Sequence, residues 1–150
     1  MISKNILDKL QKIDEYENQF GDSIYKQPNK SDFLYFDEWV QKNFMQVLNL
    51  SDYLELLNIT NGLNFDGLFI YSIDVKDENN IFDANEIFWE VEDQKKYLFF
   101  GDDSISWFCL DIKNRRYYVL DKPSGSIIEV LSTFSELIDR ALDSVVPNNI

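Results

Sequence analysis

"NGLNFDG", residues 61–67, places two of the five glycines of a 150-residue chain within six positions. It lies between a run with helical spacing and a run of β-branched and aromatic residues, so its reading sets where helices give way to strands. Upstream, Ser51 is placed to cap a helix carrying Tyr53, Leu56 and Leu57 on one face. Gly62 follows the end of that helix, where positive φ favours glycine, and Asn61 suits the same local geometry. Gly67 then opens "LFIYSIDV" (68–75), which reads as a strand, with "LNF" bridging the two. The stretch is not a phosphate loop: it lacks the lysine and precedes a strand rather than a helix.

Working outward from there, Ile2, Ile6, Leu7, Leu10 and Ile13 recur at helical spacing behind Ser3, a candidate N-cap. "GDSIYKQPNKSD" (21–32) reads as a loop. Phe33, Phe36, Val40, Phe44, Val47 and Leu48 mark a second helix. Beyond the polar run 75–85, Asp83 and Glu86 stand at capping-box spacing, with Phe82 and Ile87 as a hydrophobic staple, and predict a short helix near 84–92. "YLFF" (97–100), "ISWFCLDI" (105–112), "RRYYVLD" (115–121) and "SIIEVL" (126–131) are strand-like and bounded by turn residues. Their short connections imply antiparallel neighbours. Thr133 and Glu136 form a second capping box, ahead of Phe134, Leu137, Ile138, Ala141 and Leu142 at helical spacing. The order of elements predicts one α+β domain over 1–150. A mostly antiparallel sheet carries helices on one face, with N-terminal helices and a C-terminal helix.

Composition narrows the chemistry. Apolar residues are 45% of the chain, too many for a disordered polymer, and no apolar run approaches the length of a bilayer span. The N-terminal residues mix charge through their apolar positions, unlike a signal peptide, so a cytoplasmic protein is expected. With no histidine, neither a Ser-His-Asp nor a Cys-His centre is available, nor a histidine-ligated metal. The single cysteine, Cys109, shares a strand face with Trp107 and Asp111, lacks an activating base, and is read as an inert packed thiol. Asp102, Asp103, Asp111 and Asp121 sit at strand ends as turn formers, without the alternating ligand pattern of a calcium loop. No cofactor is called for, and the expected protein is not an enzyme. A carboxylate-dependent hydrolase stays open only because 27 acidic residues always furnish some pair.

The net charge of -13 argues against nucleic acid and anionic membranes as partners, and for a basic protein. That charge is unevenly placed. Residues 1–42 carry eight acidic and six basic side chains, and residues 95–150 eight and seven. Residues 43–94 carry eleven acidic residues against one lysine, a net of -10. A solubilising coat would not concentrate in this way. The candidate partner-binding residues are therefore Asp74, Asp77, Glu78, Asp83, Glu86, Glu90, Glu92 and Asp93.

The order of segments resembles the SUKH superfamily over residues 33–142, nearest its YrhA-like branch. The marks are Tyr53 with Leu56-Leu57 ahead of Asn61-Gly62, Gly101-Asp102-Asp103 after a short apolar strand, Asp111 closing the next, and Phe134 opening the last helix. The family's usual Leu-Pro before the tyrosine-bearing helix is replaced here by "LNLSDY". The resemblance implies an α+β domain without a catalytic site, and an immunity protein that binds and neutralises a cognate bacterial toxin, often a basic nuclease. Eukaryotic members imply an alternative: a regulatory scaffold binding a cell-wall or signalling protein.

Overall fold

The structure, a computed structural model, describes residues 1–146; residues 147–150, the end of the expected domain, lie outside the described residues. Three helices come first: α1 (Lys4–Asn18), α2 (Lys30–Asn43) and α3 (Ser51–Ile59). Then follow β1 (Leu63–Phe65), β2 (Leu68–Ile70), α4 (Ile81–Phe88), a short 3₁₀ turn (Glu92–Gln94), β3 (Tyr97–Asp102), β4 (Ser106–Asp111), β5 (Arg116–Asp121), β6 (Ile127–Leu131) and α5 (Phe134–Asp143). The six strands form one antiparallel sheet in chain order. The fold is the expected α+β, with helices at both ends.

The opening stretch resolves differently from its reading. "LNF" is itself a strand, and Asp66 and Gly67 both take positive φ (50° and 84°) as the two central residues of a hairpin turn, with Phe65 opposite Leu68. Two positive-φ residues match the right-handed twist of the flanking strands, which is why Asp-Gly closes hairpins. Gly62 does follow α3, at φ 81°. A Cβ there would lie 2.9 Å from Ile70 O and from Ser72, so the backbone of β2 also approaches it closely.

Helix boundaries moved where a competing polar side chain was nearer. Ser3 caps α1 as expected, accepting from Ile6 N–H, but Leu7 faces solvent. Asn29 caps α2 through a reciprocal box with Asp32, so the helix begins inside the expected loop. It ends at Asn43, leaving Val47 exposed. Ser51 does not cap α3; it is the first helical residue, and its hydroxyl donates to Asn49 Oδ1 at 2.7 Å. Asn80 caps α4 by accepting from Asp83 N–H. Asp83 is therefore inside the helix rather than its cap, and Phe82 is buried while Ile87 is exposed, so the staple does not form. In α5 the Thr133 hydroxyl accepts from Glu136 N–H as expected, while Glu136 reaches Ser132 N–H instead of the cap's own.

The core lies between α1, α3, α5 and one face of the sheet, where Tyr53, Phe100, Phe134 and Tyr117 pack edge to ring. Tyr53 donates its hydroxyl to Tyr71 O at 2.7 Å, satisfying the one polar atom that its burial would otherwise orphan. Phe99 points to the other side, against Phe88 of α4 and Trp107. Consequently α4 closes the sheet where β2 runs out. Asn85, fully buried, donates Nδ2–H to Phe99 O (2.9 Å) and Ile81 O (2.8 Å), and its Oδ1 accepts from Phe99 N–H (2.7 Å). Trp89 Nε1–H donates to Tyr97 O at 2.7 Å. Side chains thus complete a ladder that no strand completes. In turn, α2 clamps α4 through Trp39, stacked on Trp89 at 5.6 Å and 9°, and through Phe36 and Trp39 against Phe82.

Candidate partner-binding surface

The eight acidic candidates lie along one path: the loop after β2, α4, and the 3₁₀ turn. Their backbone is held firmly. Asn61 Oδ1 accepts from Ile73 N–H at 3.0 Å. Ser72 exchanges backbone hydrogen bonds with Asn79 and Ile81 (3.1 and 2.8 Å), and buried Asn80 donates to Asp77 O at 2.8 Å. Asn80 and Asn85 of "DENNIFDAN" therefore point inward and staple the segment, which leaves the carboxylates to the surface.

Helical periodicity sorts the residues of α4. Ile81, Phe82, Asn85 and Phe88 face the protein. Asp83, Glu86, Ile87 and Glu90 recur at i, i+3, i+4 and i+7 and are exposed, Glu90 standing on the continuing turn just past the helix end. Three carboxylates thus flank an exposed isoleucine. Val75 and Val91, either side of the helix, are also more than half exposed. These exposed apolar side chains add surface whose burial by a partner would be favourable.

Not all eight stand alike. Asp74 and Asp77 are half-buried and accept backbone hydrogen bonds from Lys76 and Asn79 (2.9 and 3.0 Å). Asp83 accepts from Asn80 Nδ2–H at 3.0 Å, and Glu92 pairs with Lys95 at 2.9 Å in solvent. Glu78, Glu86 and Glu90 are exposed, and their carboxylates form no hydrogen bond or ion pair among the described residues. Asp93, on the 3₁₀ turn, lines a groove with Val91, Lys96, Tyr97, Trp107 and Lys122.

Folding also recruits acids that the charge count had placed in a near-neutral segment. Glu17 from the end of α1 and Asp22 from the following loop line a cleft of about 300 Å³ with Asp77 and Asn79. Nothing in the sequence signals this meeting, because it depends on Asp14. That side chain accepts from Ser23 Oγ–H and Ile24 N–H, both at 2.9 Å, and so draws the loop back over α1. The exposed Ile87 and Val91 were visible in the sequence as apolar residues; only the structure gives their direction.

Elsewhere, the strand-end aspartates do the turn work expected of them. Asp103 accepts from Ile105 and Ser106 N–H, Asp111 from Lys113 and Asn114 N–H, and Asp121 from Ser124 N–H. Asp102 differs, accepting from the Tyr71 hydroxyl and from Lys122 Nζ at 2.8 Å inside the sheet. Burial raises the Tyr71 pKa, and the neighbouring Asp102 charge adds to it. Burial likewise pushes the Cys109 thiol well up, and its one hydrogen-bond contact among the described residues is a long one to Tyr118 O at 3.7 Å.

No family model matches the chain, and no curated protein matches it. Among the described residues no helix is long and apolar enough to cross a membrane, and no three acidic or thiol side chains gather as metal ligands would.

Proposed function

We propose that this protein is a non-enzymatic binding domain that neutralises a basic toxin domain by covering it with the acidic surface built on α4. One observation carries the reading: Glu86, Ile87 and Glu90 form an exposed stripe of charge around an apolar residue, on a helix locked to the sheet by Asn85 and Trp89. Rigid presentation reduces the ordering cost of binding, and a dense negative field steers a cationic partner to it. The resemblance to the SUKH superfamily supports an immunity role, and a cytoplasmic address follows from that role, where a toxin must be met before it acts.

The test compares wild type with a Glu78→Lys, Glu86→Lys, Glu90→Lys variant in pull-downs from the native lysate at low and moderate salt, with mass spectrometry of what is retained. The expected outcome is a basic protein retained by wild type, weakened by salt, lost from the variant, and non-toxic in cells only when co-expressed with wild type. Equal retention by both proteins would overturn the siting. A retained protein that harms no cell when expressed alone would overturn the toxin reading.

A further inference from the structure

On the sheet face away from α1, α3 and α5, beyond the cover of α4, lies a groove of about 520 Å³. It runs between the 3₁₀ turn and the turn that joins β5 to β6. That size falls within the roughly 300–1,000 Å³ of small-molecule clefts. Trp107 of β4 lines it, with Tyr97 and Leu120 buried beside it. The indole keeps part of its surface exposed. Phe88 and Phe99 meet it at 55° and 71°, so neither ring lies flat over it.

Polar groups of both kinds line the same groove. The Asp93 carboxylate and the Gln94 amide, on the 3₁₀ turn, form no hydrogen bond or ion pair among the described residues. Lys96 Nζ sits over the Tyr97 ring, 5.3 Å from its centre, and Lys122 Nζ donates to Asp102 at 2.8 Å. Asp93 accepts, the lysines donate, and Gln94 does both.

Charge and backbone then select the occupant. Asp93, Lys96 and Lys122 are the charged residues of the lining, and Asp102 answers Lys122. Behind the turn, Asp121 accepts from Ser124 N–H and Oγ–H at 3.1 and 2.7 Å and pairs with no cation among the described residues. The groove therefore has no surplus of cations for a phosphate, and its lysines repel a basic side chain. Nor can an extended peptide join a ladder here, since β4 and β5 are interior strands paired on both sides. In the turn, the amides of Lys122, Ser124, Gly125 and Ser126 already have acceptors, and Pro123 has no N–H to offer.

We propose that this groove binds a neutral saccharide, with the C–H face of one pyranose ring laid on Trp107 and its hydroxyls bonded to Asp93, Gln94 and Lys96. A sugar ring combines what the lining asks for: an apolar face for an aromatic ring, hydroxyls that donate and accept at once, and no net charge. None of Glu86, Ile87 and Glu90 lines the groove, so the site is separate from the stripe on α4 and does not depend on the toxin reading. Asp93, one of the eight acidic candidates, is assigned to it.

An NMR titration of the full chain with cellobiose, maltose and chitobiose tests it, with AMP and inorganic phosphate as anionic probes. The expected result is saturable shifts of the Trp107 indole and the Gln94 amide at millimolar concentrations of at least one disaccharide, a readout that needs no variant to fold. Binding should weaken roughly tenfold in Trp107→Ala, which loses the aromatic face, and roughly fivefold in Asp93→Ala, at an exposed position. The Glu86→Lys, Glu90→Lys double variant should bind the sugar as wild type does. No shift with any of the disaccharides would overturn the proposal, as would an affinity unchanged in both groove variants. Saturation by AMP or phosphate, but by no saccharide, would overturn it in favour of an anion site.

Discussion

Residues 61–94 and residues 97–131 build one sheet by different means. The second region is a plain meander: β3 to β6 pair along their lengths, and stability is spread over many equivalent backbone hydrogen bonds. The first region pairs for only two or three residues at a time. It completes its contacts with single side chains: Asn61, Asn80, Asn85 and Trp89. A ladder tolerates loss at one site, whereas a side-chain staple does not. The staple has a compensating use, since it holds α4 against the sheet as a rigid helix whose outer face is free to carry carboxylates.

The comparison breaks most sharply at two fully buried residues. Asn85→Leu leaves the Phe99 N–H and C=O without partners, and each buried orphan costs about 1–3 kcal/mol. The variant should lose about 4 kcal/mol in a denaturant titration. Cys109→Ala, equally buried in the meander, forfeits one weak contact and a small volume, and should lose about 1 kcal/mol. Similar losses at the two sites would mean that the staple is not what holds α4.

The glycines of the opening stretch sharpen the same point one step down. Gly62→Ala must bear both a positive φ and a Cβ within 2.9 Å of Ile70 O and Ser72, at a cost of about 3 kcal/mol. Gly67→Ala meets nothing within 4 Å, so only the backbone conformation counts, at about 1 kcal/mol. Thermal unfolding of the pair measures the close approach separately from the turn.

What the sequence made legible follows the same division. The meander and α5 lie near their expected boundaries, because period-two and period-3.6 patterns are written in every residue of a regular element. The hairpin at Asp66-Gly67 went unread because three residues are too few to show a period, although the turn dipeptide was in plain view. Asn80 displaced Asp83 as the cap because both offer an oxygen at suitable spacing, and only the Ser72–Asn80 bridge decides which is used. The role of Asn85 leaves no periodic trace, since its partner lies 14 residues away. At the candidate surface the charge count located the segment, but the inward asparagines, the outward Ile87 and the recruitment of Glu17 and Asp22 are tertiary facts.

Alkaline pH should weaken both regions, and in the meander the groups concerned are Tyr97 and Cys109. Burial first, then the neighbouring charges of Cys109, Asp111 and Tyr118, push the Tyr97 hydroxyl up to about 12 from 10.0. Cys109 is also raised, by burial first and then by Asp111, from 9.0. Both groups are held protonated by the fold, so their contribution is complete below the unfolded values and is lost as pH rises beyond them. Denaturant midpoints should fall from about pH 9 upward, and Tyr97→Phe should make the fall between 10 and about 12 shallower, the remainder belonging to the raised hydroxyls of Tyr53, Tyr71 and Tyr117. An unchanged slope in that variant would remove Tyr97 from the account.

The smallest effect has the most telling sign. Glu90 stands four residues after Glu86, just beyond the C-terminal end of α4, a helix with no basic residue in its last turn. Like charges at that spacing repel, and a carboxylate opposes the negative end of the helix dipole. For the fold alone, lysine would be the better residue there. Glu90→Lys should therefore raise stability by about 0.5 kcal/mol while weakening capture of the proposed basic partner, a trade expected of a surface kept for binding rather than folding. Chemical denaturation and partner titration on the same preparation measure the two together. If the variant is less stable, Glu90 serves the helix in some way these contacts do not include, and the acidic stripe loses its claim to be shaped by a partner.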